Sequence, residues 1–270
     1  MSNIKYGSQA YPWEMNVAKF AGKVPHMCDV LVSAGFTGLE AEIVMLGEYY
    51  NDWQRMKTLL EEKNVQFAAL AIHEDWVHPE ETPEEFTRTN VAIEFLTHFP
   101  TAKLLIGYCA SDPVREHNLH EKQENQMKCV KAISQRCFEK GIVPVFHPNS
   151  APNSVFRTEE DYKFMFDKLY QTSCGWCPDV GHMLNGNIDS LKLIKNNRER
   201  VWHVHFKDMD KNHTFATMGT GIGDFKPIVK YLEDTDYRGW IMTEDESPDA
   251  VLDSDGVVMA DGKYMKSIQN

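Results

Sequence analysis

Four residues of metal-binding type stand at the ends of four strand-like runs: His147, Asp179, His205 and Glu244. The steps between them are 32, 26 and 39 residues, about one strand-plus-helix unit each. Two imidazoles and two carboxylates make a mixed nitrogen and oxygen donor set. Such a set suits one divalent ion, with Mn²⁺ the first expectation and Co²⁺, Fe²⁺, Zn²⁺ or Mg²⁺ as alternatives; it suits Ca²⁺ less, and no thiolate biases it to zinc. A divalent ion with open positions polarises a carbonyl or a hydroxyl-ketone pair and eases loss of a proton from the neighbouring carbon. Carboxylates and imidazoles nearby then shuttle that proton. The chemistry within reach is isomerisation, epimerisation or β-elimination.

The elements that must position these residues follow from periodicity. In Val201-Trp202-His203-Val204-His205-Phe206-Lys207-Asp208, a period of two puts His203, His205 and Lys207 on one face and Trp202, Val204 and Phe206 on the other. An apolar outer face and a polar inner face describe a barrel strand whose C-terminal end enters an active site. Further strands are expected over residues 4–8, 38–43, 65–72, 103–108, 142–146, 173–179 and 239–243. In the second of these, Glu40 and Glu42 point inward, with Glu42 nearer the mouth. Helices are expected over 24–34, closed by Gly35, over 52–62, after the Thr82-Pro83-Glu84-Glu85 cap, over 118–140, over 158–170 and from about 189. The final helix has the weakest signal. The predicted fold is α/β, a single (β/α)₈ TIM barrel in one domain over residues 1–270, close to the roughly 250 residues usual for that architecture.

Three motifs invite other chemistry and are set aside. Cys174-Gly175-Trp176-Cys177 lies on a strand, where positions three apart face opposite ways. Gly219-Thr220-Gly221-Ile222-Gly223-Asp224 lacks the lysine and hydroxyl of a phosphate loop and reads as a closely approaching lid or turn. Asp253-Ser254-Asp255-Gly256 also reads as a turn, since a calcium loop would need glutamate where Tyr264 stands.

Composition narrows the partners. A net charge of -12 argues against nucleic acid and against anionic membranes. No apolar run approaches a membrane span of roughly 20 residues, and the polar start Met1-Ser2-Asn3 is no signal peptide. Six dispersed cysteines fit a reduced cytoplasm better than a disulfide scaffold.

Several motifs together resemble the xylose isomerase-like TIM-barrel superfamily, in its sugar isomerase/epimerase and inosose dehydratase branch. They are Ala34-Gly35-Phe36-Thr37-Gly38-Leu39-Glu40, Asp179-Val180-Gly181-His182, His203-Val204-His205-Phe206-Lys207-Asp208 and Gly239-Trp240-Ile241-Met242-Thr243-Glu244. The resemblance implies metal ligation by Asp179, His205 and Glu244, and places His182 and Lys207 beside the substrate or the ligands. The first ligand departs from the pattern. The family's epimerases carry a glutamate in Glu-Asn-His, whereas here His147 takes that place and Asn149 that of the following histidine. One of the two acid/base carboxylates of an epimerase is thereby absent.

The expected function is enolisation of a keto-sugar or keto-cyclitol, with elimination favoured over isomerisation or epimerisation. A barrel without catalysis, serving as a binding subunit, is the alternative from another class. Glu244, His147, His182 and Lys207 are the expected catalytic residues. Glu42, Asn149, Arg157 and Glu246 are the expected substrate contacts. A homo-oligomer is possible.

Overall fold

The computed structural model describes residues 3–269. Met1 and Ser2, which bear on the expected lack of a signal peptide, lie outside the described residues. Eight parallel strands form one sheet: β1 (Lys5–Gln9), β2 (Gly38–Glu42), β3 (Gln66–Glu74), β4 (Lys103–Tyr108), β5 (Val143–Phe146), β6 (Gly175–Trp176), β7 (Val204–Phe206) and β10 (Trp240–Thr243). The order is β6-β5-β4-β3-β2-β1-β10-β7. Parallel bridges Trp176↔Val201 and Asp179↔His205 join the two edge strands, so the sheet closes on itself. Closure leaves no edge strand unpaired. The remaining strands, β8 (Asp208–Met209) and β9 (Phe215–Ala216), form a small antiparallel ribbon after β7.

Alternation along the strands sorts the side chains into two compartments. Leu39, Leu70, Leu104, Phe146, Val204, Phe206 and Ile241 face outward into the main core under the helices. Burying each such side chain contributes roughly 1.5–3 kcal/mol. The inward face is partly filled by small residues: Ala69, Ala71, Leu105, Val145 and Cys177 form their own cluster. Register pairs Glu40 with Ala69 and Glu42 with Ala71, which leaves the long carboxylates room to cross the barrel.

Most helices follow the expected signals. Gly35 ends Val24–Ala34 at φ 89°, a left-handed conformation that glycine adopts at low cost. Thr82 and Glu85 form a reciprocal capping box. The 21-residue helix Leu119–Glu139 buries Met127, Val130, Ile133 and Cys137 along one stripe. Cys174 packs in the outer core and Cys177 in the inner cluster, on opposite faces as the spacing requires.

Three expectations change. The strand predicted over 173–179 pairs only through Gly175–Trp176, because a helix, Val180–Asn185, begins directly after Asp179. The run 201–208 is regular strand only over Val204–Phe206, since Asp208 turns aside into the ribbon. Asp253-Ser254-Asp255-Gly256 is a helix start rather than a turn: Asp253 caps the 15-residue helix Ser254–Ile268 by accepting from the Gly256 N–H. Glycines and adjacent β-branched valines hide this helix from propensity, yet Gly262 lets it sit directly on Ala34 of the first long helix.

Candidate active site

The strand ends bring the four ligand-type residues together. One atom each from His147, Asp179, His205 and Glu244 lies within 4.8 Å of every other, and all four residues are buried. His205 Nδ1 is 2.8 Å from Glu244 Oε2 and 3.9 Å from Asp179 Oδ2, and His147 Nε2 is 3.4 Å from Asp179 Oδ2. A divalent ion with bonds of about 2.0–2.2 Å separates its ligand atoms by roughly 3–3.5 Å, so the donor set fits one ion.

Local structure aims each donor. Asp179 divides its carboxylate: Oδ1 accepts from the His182 N–H at 2.9 Å and caps the helix, while Oδ2 faces the cluster. His205 turns Nδ1 to the cluster and Nε2 to Glu40 Oε1 at 2.9 Å. Glu40 also accepts from, or pairs with, His203 Nε2 at 2.7 Å, with both side chains fully buried. A carboxylate behind an imidazole fixes its ring orientation and raises its basicity as a ligand.

Lys207 lies behind the cluster without solvent exposure. Its Nζ is 3.3 Å from Glu244 Oε2 and 3.5 Å from Asp179 Oδ2, and it pairs closely with Glu246. Burial alone would lower its pKa, but Glu244, Glu246 and Asp179 hold the ammonium well above its usual value. Burial alone would raise both carboxylates, but Lys207 together with the neighbouring histidines prevails: Asp179 is held well below the usual range, with His182 and His147 adding to Lys207, and Glu244 near 2, with His205 adding to it. His182 is pushed down to about 3, first by burial and then by Lys207. Its Nε2 accepts from Lys207 at 3.2 Å, and its Nδ1 meets Ser150 Oγ at 2.9 Å. His182 is therefore neutral with both nitrogens engaged.

Above these groups opens a cavity of about 610 Å³. His147, His182, Glu244 and Glu246 form part of its wall, as do Glu42 and Asn149. Asp179, His205 and Lys207 lie beneath that surface. Arg157 is not among the lining residues; its backbone N–H donates to Asp161 Oδ2 at 3.0 Å.

The far wall comes from β1 to β3 and contains groups that the sequence reading did not single out. Glu14 follows β1 on the short helix Tyr11–Glu14, and His73 is the last residue but one of β3. His73 Nδ1 is 2.8 Å from Glu42 Oε1. Glu14 closes a short helix and His73 lies near the end of a strand, and no local spacing in the sequence ties either to Glu42. The glycine loop has a different task. Gly219, Gly221 and Gly223 each donate an N–H to the Asp208 carboxylate at 2.9 Å, and Met209 donates at 2.8 Å. A Cβ on Gly221 would stand 2.3 Å from Asp208 Oδ1, so the close approach requires glycine. With Asp208 filling the loop, these donors are not available to a phosphate.

Among the described residues, no helix is long and apolar enough to cross a membrane.

Known proteins resemble this chain in sequence or in fold. An inosose dehydratase from Clostridium perfringens is 23% identical, over 100% of this chain and 99% of its own length. The structure of a probable 3-DHS dehydratase, AsbF, from Bacillus anthracis superposes with a TM-score of 0.78 at 13% identity, covering 97% of this chain and 98% of that one. The structure of the IolI protein with a bound zinc atom superposes with a TM-score of 0.77 at 13% identity, covering 98% and 97%. The xylose isomerase-like TIM barrel family matches residues 28–268, and this chain belongs to that family.

Proposed function

We propose that this protein is a divalent-metal-dependent enzyme that enolises a keto-sugar or keto-cyclitol and then expels a β-substituent, as a carbon–oxygen lyase. The observation that carries this reading is the four-donor group of His147, Asp179, His205 and Glu244 at the floor of an open cavity whose wall includes histidine and glutamate side chains. Bound there, a divalent ion would polarise the substrate carbonyl and acidify its α-C–H. Mn²⁺ remains the first choice from the donor set; the zinc atom in the IolI structure makes Zn²⁺ the first alternative.

The chain's own residues divide the work. Glu244, ionised beside Lys207 and exposed to the cavity, accepts the α-proton. Lys207 offsets the crowded carboxylates and holds Glu244 and Glu246 in place. His182, anchored by Ser150, presents a neutral ring to the substrate. Glu42, Asn149 and Glu246 supply hydrogen-bonding positions along the wall. Arg157 has no substrate role in this reading.

Isomerisation or epimerisation is the second reading, supported by the shared enolisation step. The presence of His147 where the related epimerases carry glutamate favours elimination. The inosose dehydratase similarity points the same way.

The test is incubation of metal-loaded protein with a 2-inosose and a 3-keto-glucoside in deuterated buffer, followed by NMR and by metal analysis of the protein. Stoichiometric metal, solvent deuterium at the α-carbon and an unsaturated product support the lyase. Deuterium with every hydroxyl retained establishes isomerisation or epimerisation instead. A barrel without catalysis would give neither exchange nor product.

A further inference from the structure

Enolisation followed by elimination needs two proton transfers at separate points on the substrate, and the groups on the metal-ligand side account for only one. Glu244 lines the cavity with Lys207 Nζ 3.3 Å from its Oε2, and in the lyase reading it takes the α-proton. The leaving oxygen needs a donor. His182 has Nδ1 engaged by Ser150 at 2.9 Å and Nε2 by Lys207 at 3.2 Å, so neither ring nitrogen is left over for the leaving oxygen. Lys207 has no exposure to the cavity and is committed to three carboxylates. His147 turns Nε2 to Asp179 Oδ2 at 3.4 Å, inside the donor set.

The opposite wall has a group of the required kind. Glu14 lines the cavity, and its Oε2 is buried with no hydrogen-bond partner among the described residues. Beside it stands Glu42, whose own carboxylate is tied to His73 at 2.8 Å. Burial first, then the negative charge of Glu42, raises Glu14 to about 8, so it carries a proton at neutral pH. Gly107 makes the neighbouring imidazole possible: a Cβ there would lie 2.1 Å from the His73 ring. The three side chains arrive from β1, β2 and β3, across the cavity from ligands that arrive from β5 to β10.

Resting on the lyase reading above, we propose that Glu14 is the general acid of the reaction, backed by the Glu42–His73 pair on the wall facing the metal ligands. The α-C–H electron pair becomes the new carbon–carbon double bond after Glu244 takes the proton. The β-carbon–oxygen bond breaks with its pair on oxygen, and the Glu14 O–H proton joins that oxygen to release water or an alcohol. Glu14 is left as carboxylate and regains a proton from solvent through the open cavity. No electrons enter or leave.

The experiment compares wild type with Glu14→Gln, each loaded with the same metal, on two 3-keto-glucosides: one with an alkyl aglycone and one with 4-nitrophenol, which leaves as a stable anion. Loss of a general acid costs on the order of 10²- to 10⁴-fold in rate. The expected result is an elimination rate at least about 100-fold lower on the alkyl substrate, α-deuterium exchange within about threefold of wild type, and near-wild-type release of 4-nitrophenolate. Melting temperature and metal content, measured on the same samples, report folding. Unchanged alkyl elimination overturns the assignment. So does equal loss on both substrates, which marks a structural or binding role; His73→Asn, expected to slow the alkyl substrate more than the nitrophenyl one, repeats the discrimination if Glu14→Gln folds poorly. Wild-type protein that exchanges no deuterium on either substrate removes the lyase reading itself, and this assignment with it; wild-type exchange with the aglycone retained removes the leaving-group role alone.

Discussion

Strand β2 carries two glutamates two residues apart, on one face, each paired with a histidine from another strand. Glu40 meets His203 at 2.7 Å with both side chains at 0% exposure. Glu42 meets His73 at 2.8 Å with 22% and 25% of the side chains exposed. The residue types are the same and the spacing from carboxylate to imidazole is nearly so. One turn of the pleat deeper in the barrel, the pair has no route to a substrate and instead orients His205. At the mouth, the same pair becomes part of a cavity wall. Depth along the barrel axis, not residue type, separates scaffold from chemistry here, as expected where function gathers at the C-terminal ends of barrel strands.

The largest effect should come from breaking the deep pair. Glu40→Ala leaves two buried imidazoles, His203 and His205, without their carboxylate, and each unsatisfied buried group costs roughly 1–3 kcal/mol, so about 2–6 kcal/mol in all. It also frees the His205 ring, so metal retention should fall as well. Glu42→Ala, at a partly exposed site, should cost under about 1 kcal/mol while impairing turnover. Urea denaturation and metal analysis of the two variants check this. Equal stability losses at both positions would erase the distinction drawn from depth.

A smaller effect is expected at a third carboxylate, which the fold satisfies by backbone alone. Asp208 accepts from Met209, Gly219, Gly221 and Gly223, and it pins the glycine loop over the end of the barrel. Hydrogen bonds to a charged group contribute roughly 1.5–3 kcal/mol each, though removal also frees the N–H groups to meet water. Asp208→Ala should therefore lose about 2–3 kcal/mol in net stability and speed hydrogen exchange at the three glycines, with metal content unchanged. Metal loss in Asp208→Ala would mean that the loop supports the ligand set, contrary to the separation seen here.

These contrasts also explain what the sequence could and could not convey. The four ligand-type residues were legible because each ends a strand, and parallel strands in a closed barrel must deliver their ends to one mouth. Glu40 and Glu42 were legible as inward-facing from alternation alone. What each one meets was not, because His203 and His73 are 163 and 31 residues away and only barrel closure and register decide the partners. Glu14 was missed because its position depends on a single short helical turn after β1 rather than on a periodic element. The glycine loop looked like a turn, but its organising residue, Asp208, belongs to the end of the His205 run. The helix at Val180–Asn185 was hidden because Asp179 serves at once as strand end, helix cap and cluster member. Arg157 illustrates the converse: expected as a substrate contact, it is not among the residues that line the cavity.

The finest discrimination between the two pairs is in the sign of their pH dependence. Burial holds His203 down to about 4 despite Glu40, against an unfolded value near 6.5. Between these values the unfolded chain binds a proton that the folded chain refuses, so stability is lost as pH falls from about 6.5 toward 4. His73 has the opposite shift: burial opposes its cation, but Glu42 prevails and raises it. Its contribution is complete below about 6.5 and is lost as pH rises through the raised folded value. Glu14 adds to the same side, because its carboxyl, raised by burial and Glu42, is protonated in the folded chain up to about 8 and ionised in the unfolded chain from about 4.5. Thermal unfolding from pH 4 to 9 should therefore show His203→Asn flattening the acid limb, and His73→Asn or Glu14→Gln flattening the neutral-to-alkaline limb. The shifts should be smallest at His73, where a quarter of the side chain is exposed and solvent screens the pair. If His203→Asn and His73→Asn flatten the same limb, the two pairs experience one common environment, and depth along β2 is not what distinguishes them.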